Sequence, residues 1–180
     1  MDYMPAGLSR RLGAFALDMV PILGYILLLL AIFAGIPIGI FHIPLTLKLN
    51  PILSDTVAFA TIVLPVILYF AIQESSPRQT TWGKRRMGLW VITKDGKRLR
   101  FFRSLIRSIV KFLPWQIAHT CIFHIPGWPF DVQGFPTWVM AGFIIVYTLI
   151  IIYLITITFT PNHQSVYDFI AGSFVVKAEG

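Results

Sequence analysis

Ile26-Leu27-Leu28-Leu29-Leu30-Ala31-Ile32-Phe33 is the stretch on which the fold class turns. It sits inside an apolar run over about residues 13–41. A hydrocarbon core about 30 Å thick needs about 20 such residues in helix. Two further runs qualify, at about 55–74 and 137–159, and the last carries no charge at all. In lipid every backbone polar group must be satisfied internally, so these runs are helices rather than strands. The composition agrees. The chain is 56% hydrophobic and only 13% charged, with a mean hydropathy of +0.74. A soluble domain carries about 25% charged residues. The 180 residues make one domain, an all-α membrane protein. The first apolar run is too long for a cleavable signal peptide.

A fourth segment, about 101–125, is harder to place. Arg100, Arg103, Arg107 and Lys111 fall on one helical face, at spacings of three and four. Phe102, Leu105, Ile106, Ile109 and Leu113 fall on the other. Pro114 then interrupts the pattern, and the moderately apolar 115–125 follows. The expectation is an amphipathic interfacial helix that bends at Pro114 into a membrane crossing over about 109–126. That gives a bundle of four transmembrane helices. If 101–125 is only interfacial, the bundle has three.

The basic residues favour four. Of the 15 Lys and Arg, 14 lie at Arg10 and Arg11, between Arg78 and Lys111, or at Lys177. Cytoplasmic segments collect Lys and Arg. Four crossings place both termini and the basic loop, about 75–108, on the cytoplasmic side, together with the segment 161–180. The loops around Lys48 and Asp131 then lie outside. Within the basic loop, Leu89-Trp90-Val91-Ile92-Thr93 is β-prone. Lys94-Asp95-Gly96-Lys97 supplies an Asp-Gly turn, and Arg98 to Phe102 is the expected return arm of a small hairpin.

Asp18 is the most informative residue. A charge at mid-membrane costs about 2.5–3.5 kcal/mol on insertion scales. Arg11 lies seven residues earlier, on the same helical face, and can snorkel to the headgroups. Asp18 is too short to do so. It needs a partner from another helix, a water-filled cavity or a proton. It is therefore either an ion or proton site or part of a structural ion pair. Asp168 is the second acid of interest, on a short helix for which Asn162 is a plausible N-cap. Arg10, Lys84, Arg85, Arg103 and Arg107 are the candidate charge partners of these two carboxylates. Arg86, Arg100 and Lys111 are the expected contacts to anionic lipid headgroups.

Other chemistries find little support. Thr81-Trp82-Gly83-Lys84-Arg85-Arg86-Met87-Gly88 lacks the earlier glycine and the Ser or Thr after Lys that a phosphate loop needs. His119, Cys121 and His124 do not share a helical face, so no metal is expected. With one cysteine there is no internal disulfide. No catalytic triad, paired glutamates or nucleotide loop is evident. Neither a cofactor nor a nucleic-acid partner is expected.

Three motifs, in order along the chain, resemble the RDD family of small, mostly bacterial membrane proteins. They are Ala6 to Asp18, with Arg11 and an Asp seven residues on; Thr81-Trp82-Gly83-Lys84-Arg85 leading into a β-prone stretch; and Gln164 to Val176, with Asp168-Phe169-Ile170-Ala171-Gly172. The resemblance implies Arg11, Asp18 and Asp168 as the family triad. Tyr167 departs from the His common before the last Asp. The resemblance also implies a bacterial inner-membrane protein that transports a small ligand, with cation/proton exchange as one form.

Two functions are thus carried forward. In a cation/proton exchanger, Asp18 and Asp168 would alternate between proton and cation, and so few helices would need a homo-oligomer. In a non-catalytic accessory, assembly or scaffold subunit of a larger membrane complex, the same residues would be a staple. The sequence lacks an inverted repeat and paired broken helices.

Overall fold

The computed structural model describes residues 4–35, 39–40, 50–129 and 131–177. The end of the first apolar run and Lys48 lie outside the described residues. Helix α1, Leu8–Leu30, continues through a π-helical turn, Ala31–Gly35. Helix α2, Pro51–Ala58, runs through a second π turn, Phe59–Val63, into α3, Leu64–Ser75. A short helix α4, Trp82–Arg86, precedes strand β1, Leu89–Thr93. Two long helices follow, α5 at Phe101–Phe123 and α6 at Thr137–Phe159. Helix α7, Val166–Ala171, and strand β2, Ser173–Lys177, close the chain.

Three of these helical stretches are long and apolar enough to cross a membrane: Leu8–Gly35, Pro51–Ser75 and Thr137–Phe159. Helix α5 packs between α3 and α6. It is one helix of 23 residues with Pro114 inside it, continuous over both the interfacial piece and the crossing expected from the sequence. A proline inside a helix leaves the carbonyl four residues earlier without its donor. Here that carbonyl is Val110, and the Tyr153 hydroxyl of α6 donates to it at 2.7 Å. The same device recurs at Pro65, whose orphaned carbonyl on Thr61 accepts from the Tyr25 hydroxyl of α1 at 2.7 Å. Neighbouring helices thus satisfy the backbone groups the prolines free, a requirement in hydrocarbon. Both bonds also dock one helix on the next.

The strand pairing departs from the expected hairpin. The turn forms, with Gly96 at φ +70° and Lys97 C=O accepting from Thr93 N–H at 2.8 Å. The return arm makes only a bridge between Ile92 and Arg98. The ladder partner of β1 is β2, antiparallel, from Leu89↔Lys177 to Thr93↔Ser173. The N-terminal segment lies along the other edge of β2, where Ala6 N–H bonds Val175 C=O at 2.9 Å and Lys177 N–H bonds Met4 C=O at 3.0 Å. Local turn chemistry signalled a hairpin, but the alternating apolar side of β1 needed a larger surface than its own return arm provides. Ala6, Ala14, Leu89, Val91, Leu99 and Val175 form the small core beneath this sheet.

A second core, Ile22, Val63, Val66, Ile67, Phe70 and Phe112, joins α1, α3 and α5. In α6 only Val139, Val146, Tyr153 and Ile157 are buried, a seam facing α5. Gly142 belongs to that contact: a Cβ there would strike the Cys121 sulfur, so a small residue lets the helices close up. The outward Leu and Ile side chains of α1 and α6 are exposed. So large an apolar surface fits lipid, not water.

Candidate functional site

In α1 the buried residues are Arg11, Ala14, Asp18 and Ile22. Their spacing of three to four puts them on one stripe. The stripe faces the end of the bundle that carries the sheet, and there two charged groupings are built.

Asp168 organises the first. It is fully buried at the third position of α7. There its Oδ2 accepts from the N–H of Ser165, the N-cap, at 3.1 Å. The N-cap is thus Ser165 rather than Asn162. Arg11 donates to Asp168 at 2.6 Å. Arg107 donates to it through Nε at 2.8 Å and approaches with Nη2 at 2.7 Å. Ser173 adds a hydroxyl at 3.3 Å. The other arm of Arg107 pairs with Glu74 of α3, and Lys84 of α4 pairs with the same carboxylate at 2.5 Å. Arg107 therefore bridges two carboxylates, and its guanidinium also lies 5.2 Å from the Tyr167 ring centroid. Burial by itself would raise the Asp168 carboxyl. The guanidinium groups of Arg107 and then Arg11 outweigh burial and hold it below the usual aspartate range. The Tyr167 hydroxyl is pushed up, by burial first and then by Asp168.

Asp18 belongs to the second grouping and makes no salt bridge among the described residues. It is 1% exposed. Thr81 Oγ1 donates to it at 2.6 Å, Gly83 N–H at 2.7 Å and the Tyr69 hydroxyl at 3.1 Å. A carboxylate met by three such donors has the hydrogen bonds that burial demands. Thr81 is also the N-cap of α4, accepting from Lys84 N–H. Gly83 lets α4 approach α1: a Cβ there would run into the Ala14 carbonyl and sit 2.7 Å from Asp18 N.

Lys111 is the remaining cation of this region, half-buried and without a carboxylate partner among the described residues. Its ammonium lies 3.6 Å from the Phe70 ring centroid, 5.0 Å from Phe15 and 5.2 Å from Phe112. Such cation–π contacts are worth about 2 kcal/mol when desolvated. Beside it is a cavity of about 600 Å³ between α1, α5 and α6, lined also by Arg11, Asp18, Lys84 and Arg107.

Of the residues singled out from the sequence, Arg11 and Asp168 are paired, while Asp18 makes no ion pair with either and is bonded instead by Tyr69, Thr81 and Gly83. Arg107 reaches Asp168, and Lys84 reaches Glu74. Arg10, Arg85 and Arg103 are exposed and make no ion pair among the described residues. Arg86 and Arg100 are exposed as well, and Arg86 lies over Trp82 at 5.5 Å. Lys111 turns inward, away from the headgroup position expected of it. Glu74 and Tyr69 are not marked in the sequence, and Thr81 and Gly83 stand there only as part of a motif, with no sign that they donate to Asp18. No cluster of His, Cys, Asp or Glu that could hold a metal occurs among the described residues.

The motifs that carry these side chains match a known family model, described as the RDD family, over residues 5–172. The chain belongs to the RDD family. No curated protein and no solved structure matches it. In this RDD protein the matched region holds Arg11, Asp18, Glu74, Lys84, Arg107 and Asp168, the ion-paired residues and Asp18 alike.

Proposed function

We propose that this RDD protein is a non-catalytic membrane module, an accessory, assembly or scaffold subunit, whose buried charges staple one end of a four-helix bundle. The observation that carries this reading is saturation. Asp168 receives two arginines and two further donors, Glu74 receives Lys84 and Arg107, and Asp18 receives three donors. An exchanging carboxylate must trade its partners for a cation and a proton. Breaking a buried pair costs about 3–5 kcal/mol, which disfavours cycling at Asp168 and Glu74.

The four-crossing topology rests on parity. β2 pairs with β1 and with the N-terminal segment, so both termini and the central loop share one side. An even number of crossings must separate each from the next. The Thr137–Phe159 helix crosses in one direction, so α5 must return in the other. Helix α5 has the same 23-residue length, about 34 Å at 1.5 Å per residue. The excess of Lys and Arg marks the shared side as cytoplasmic, in a bacterial inner membrane. There the exposed Arg86 and Arg100 meet anionic headgroups.

A transport reading is favoured by one observation, that Arg11 and Asp18 line a cavity. Proteoliposomes decide between the two. With an internal pH dye and imposed Na⁺ or K⁺ gradients, the staple reading expects no cation-dependent proton flux. It also expects Asp18→Asn to lower the thermal midpoint. Flux in the parent protein that disappears in a stably folded Asp18→Asn variant would establish transport instead.

A further inference from the structure

Around the inner end four cations, Arg11, Lys84, Arg107 and Lys111, face three carboxylates, Asp18, Glu74 and Asp168. By formal charge the set carries one positive in excess. Lys111 is the one of these four cations without a salt bridge among the described residues, and three aromatic rings flank its ammonium. Arg11, 8% exposed, adds an Nη2 with no hydrogen-bond partner among the described residues. Both side chains line the cavity between α1, α5 and α6.

Away from these cations the cavity is apolar. Its walls include Leu12, Ile122, Val146, Ile150 and Leu154. From Lys111 to Ile122 along α5 is eleven residues, about 17 Å of helix. The charged end and the greasy end are therefore well separated. α1 and α6 make little contact with each other, and Leu12 and Ile150 are exposed at the lips. In a bilayer those lips face hydrocarbon.

We propose that this cavity binds a single-chain anionic amphiphile, a long-chain carboxylate, that enters sideways from the membrane. Its head sits at Lys111 and Arg11, and its chain lies between α5 and α6. One negative charge closes the excess of one positive. At about 30 Å³ per water-sized group, 600 Å³ holds about 20 such groups. That matches one acyl chain with its head and is too small for a whole two-chain phospholipid. Exposed arginines would bind headgroups without a cavity, so the depth of the site is what selects a chain.

The test uses the full chain in phosphatidylcholine nanodiscs with cis-parinarate, a fluorescent long-chain carboxylate. Saturable binding is expected, reversed by palmitate and not by methyl palmitate, which has the chain without the charge. Lys111→Gln should weaken binding about tenfold or more, the loss of one charge-assisted contact, and Lys111→Arg should keep it. Ile150→Trp, at the exposed lip, should block the chain while leaving every charge in place. This second variant also covers the case in which Lys111→Gln fails to fold. No saturable binding, equal competition by methyl palmitate, or unchanged affinity in both Lys111→Gln and Ile150→Trp would overturn the proposal. So would displacement by phosphatidylglycerol as effective as by palmitate, since that would assign the site to two-chain lipid.

Discussion

The two ends of the bundle are held by different physics. At the end that carries the sheet, α1, α3, α4, α5 and α7 all send charged or hydrogen-bonding side chains into the two buried groupings. At the other end the polar contacts thin out to Asp55, which accepts from Gln116 at 3.1 Å and Thr120 at 2.8 Å, above an apolar contact of Cys121, Ile125 and Val139. α1 shows the contrast within one helix, since its buried residues stop at Ile22 and its last turns face outward. Apolar packing gives little preference among helix arrangements when lipid is as apolar as the side chains. Directional bonds to buried charges do give one. The network therefore fixes which elements meet, and the far end has freedom to vary.

Substitutions at the two ends should separate them. The largest effect is expected for Arg107→Ala, which takes one of two cations from both Glu74 and Asp168 at once. Removing one partner of a buried pair costs about 3–5 kcal/mol, so thermal unfolding in detergent should show a large drop or no folded protein. Gly83→Ala comes next. Its methyl group would push α4 off α1, and overpacking of this kind costs about 1–3 kcal/mol, with the loss read from the same melts.

Acid should act at the network. The folded-state pKa of Asp168 is depressed, so its stabilisation is complete above the ordinary aspartate value of about 3.9. It is lost as pH falls through the lower folded value. Hydrogen exchange should show α7 and β2 protected at pH 5 and exposed only on stronger acidification. Loss of protection near neutral pH would contradict the pairing. The smallest effect is expected for Asp55→Asn at the far end. Polar contacts between membrane helices average about 0.6 kcal/mol, and its thermal midpoint should shift little.

How much of this was legible depends on range. The three apolar spans declare themselves in composition, because burial in hydrocarbon constrains every residue of the run. The pair of Arg11 and Asp168 is 157 residues apart, and no local signal joins them: the four-crossing topology brings their segments to one side, and the resemblance of the motifs groups the residues. Glu74 stands at the end of an apolar run, where nothing local distinguishes a buried helix-terminal acid from a solvated one. On the basic stripe of α5 the sequence assigns Arg103 and Arg107 to the carboxylates and Arg100 and Lys111 to headgroups. In the structure the stripe divides differently, Arg100 and Arg103 remaining outside and Arg107 and Lys111 entering the bundle. Periodicity fixes a face of a helix but not the depth at which that face becomes interior. The sheet fails for a similar reason: the Asp-Gly turn is a local signal, and the true partner of β1 lies at the far end of the chain.

The claim that the buried charges act as a staple is tested most directly by a double-mutant cycle on Arg11 and Asp168. Thermal unfolding would be measured for Arg11→Ala, Asp168→Asn and the double variant in one lipid or detergent. The account predicts a coupling above about 1 kcal/mol, within the range seen for residues in direct contact. Effects that simply add, within about 0.3–0.5 kcal/mol, would contradict it.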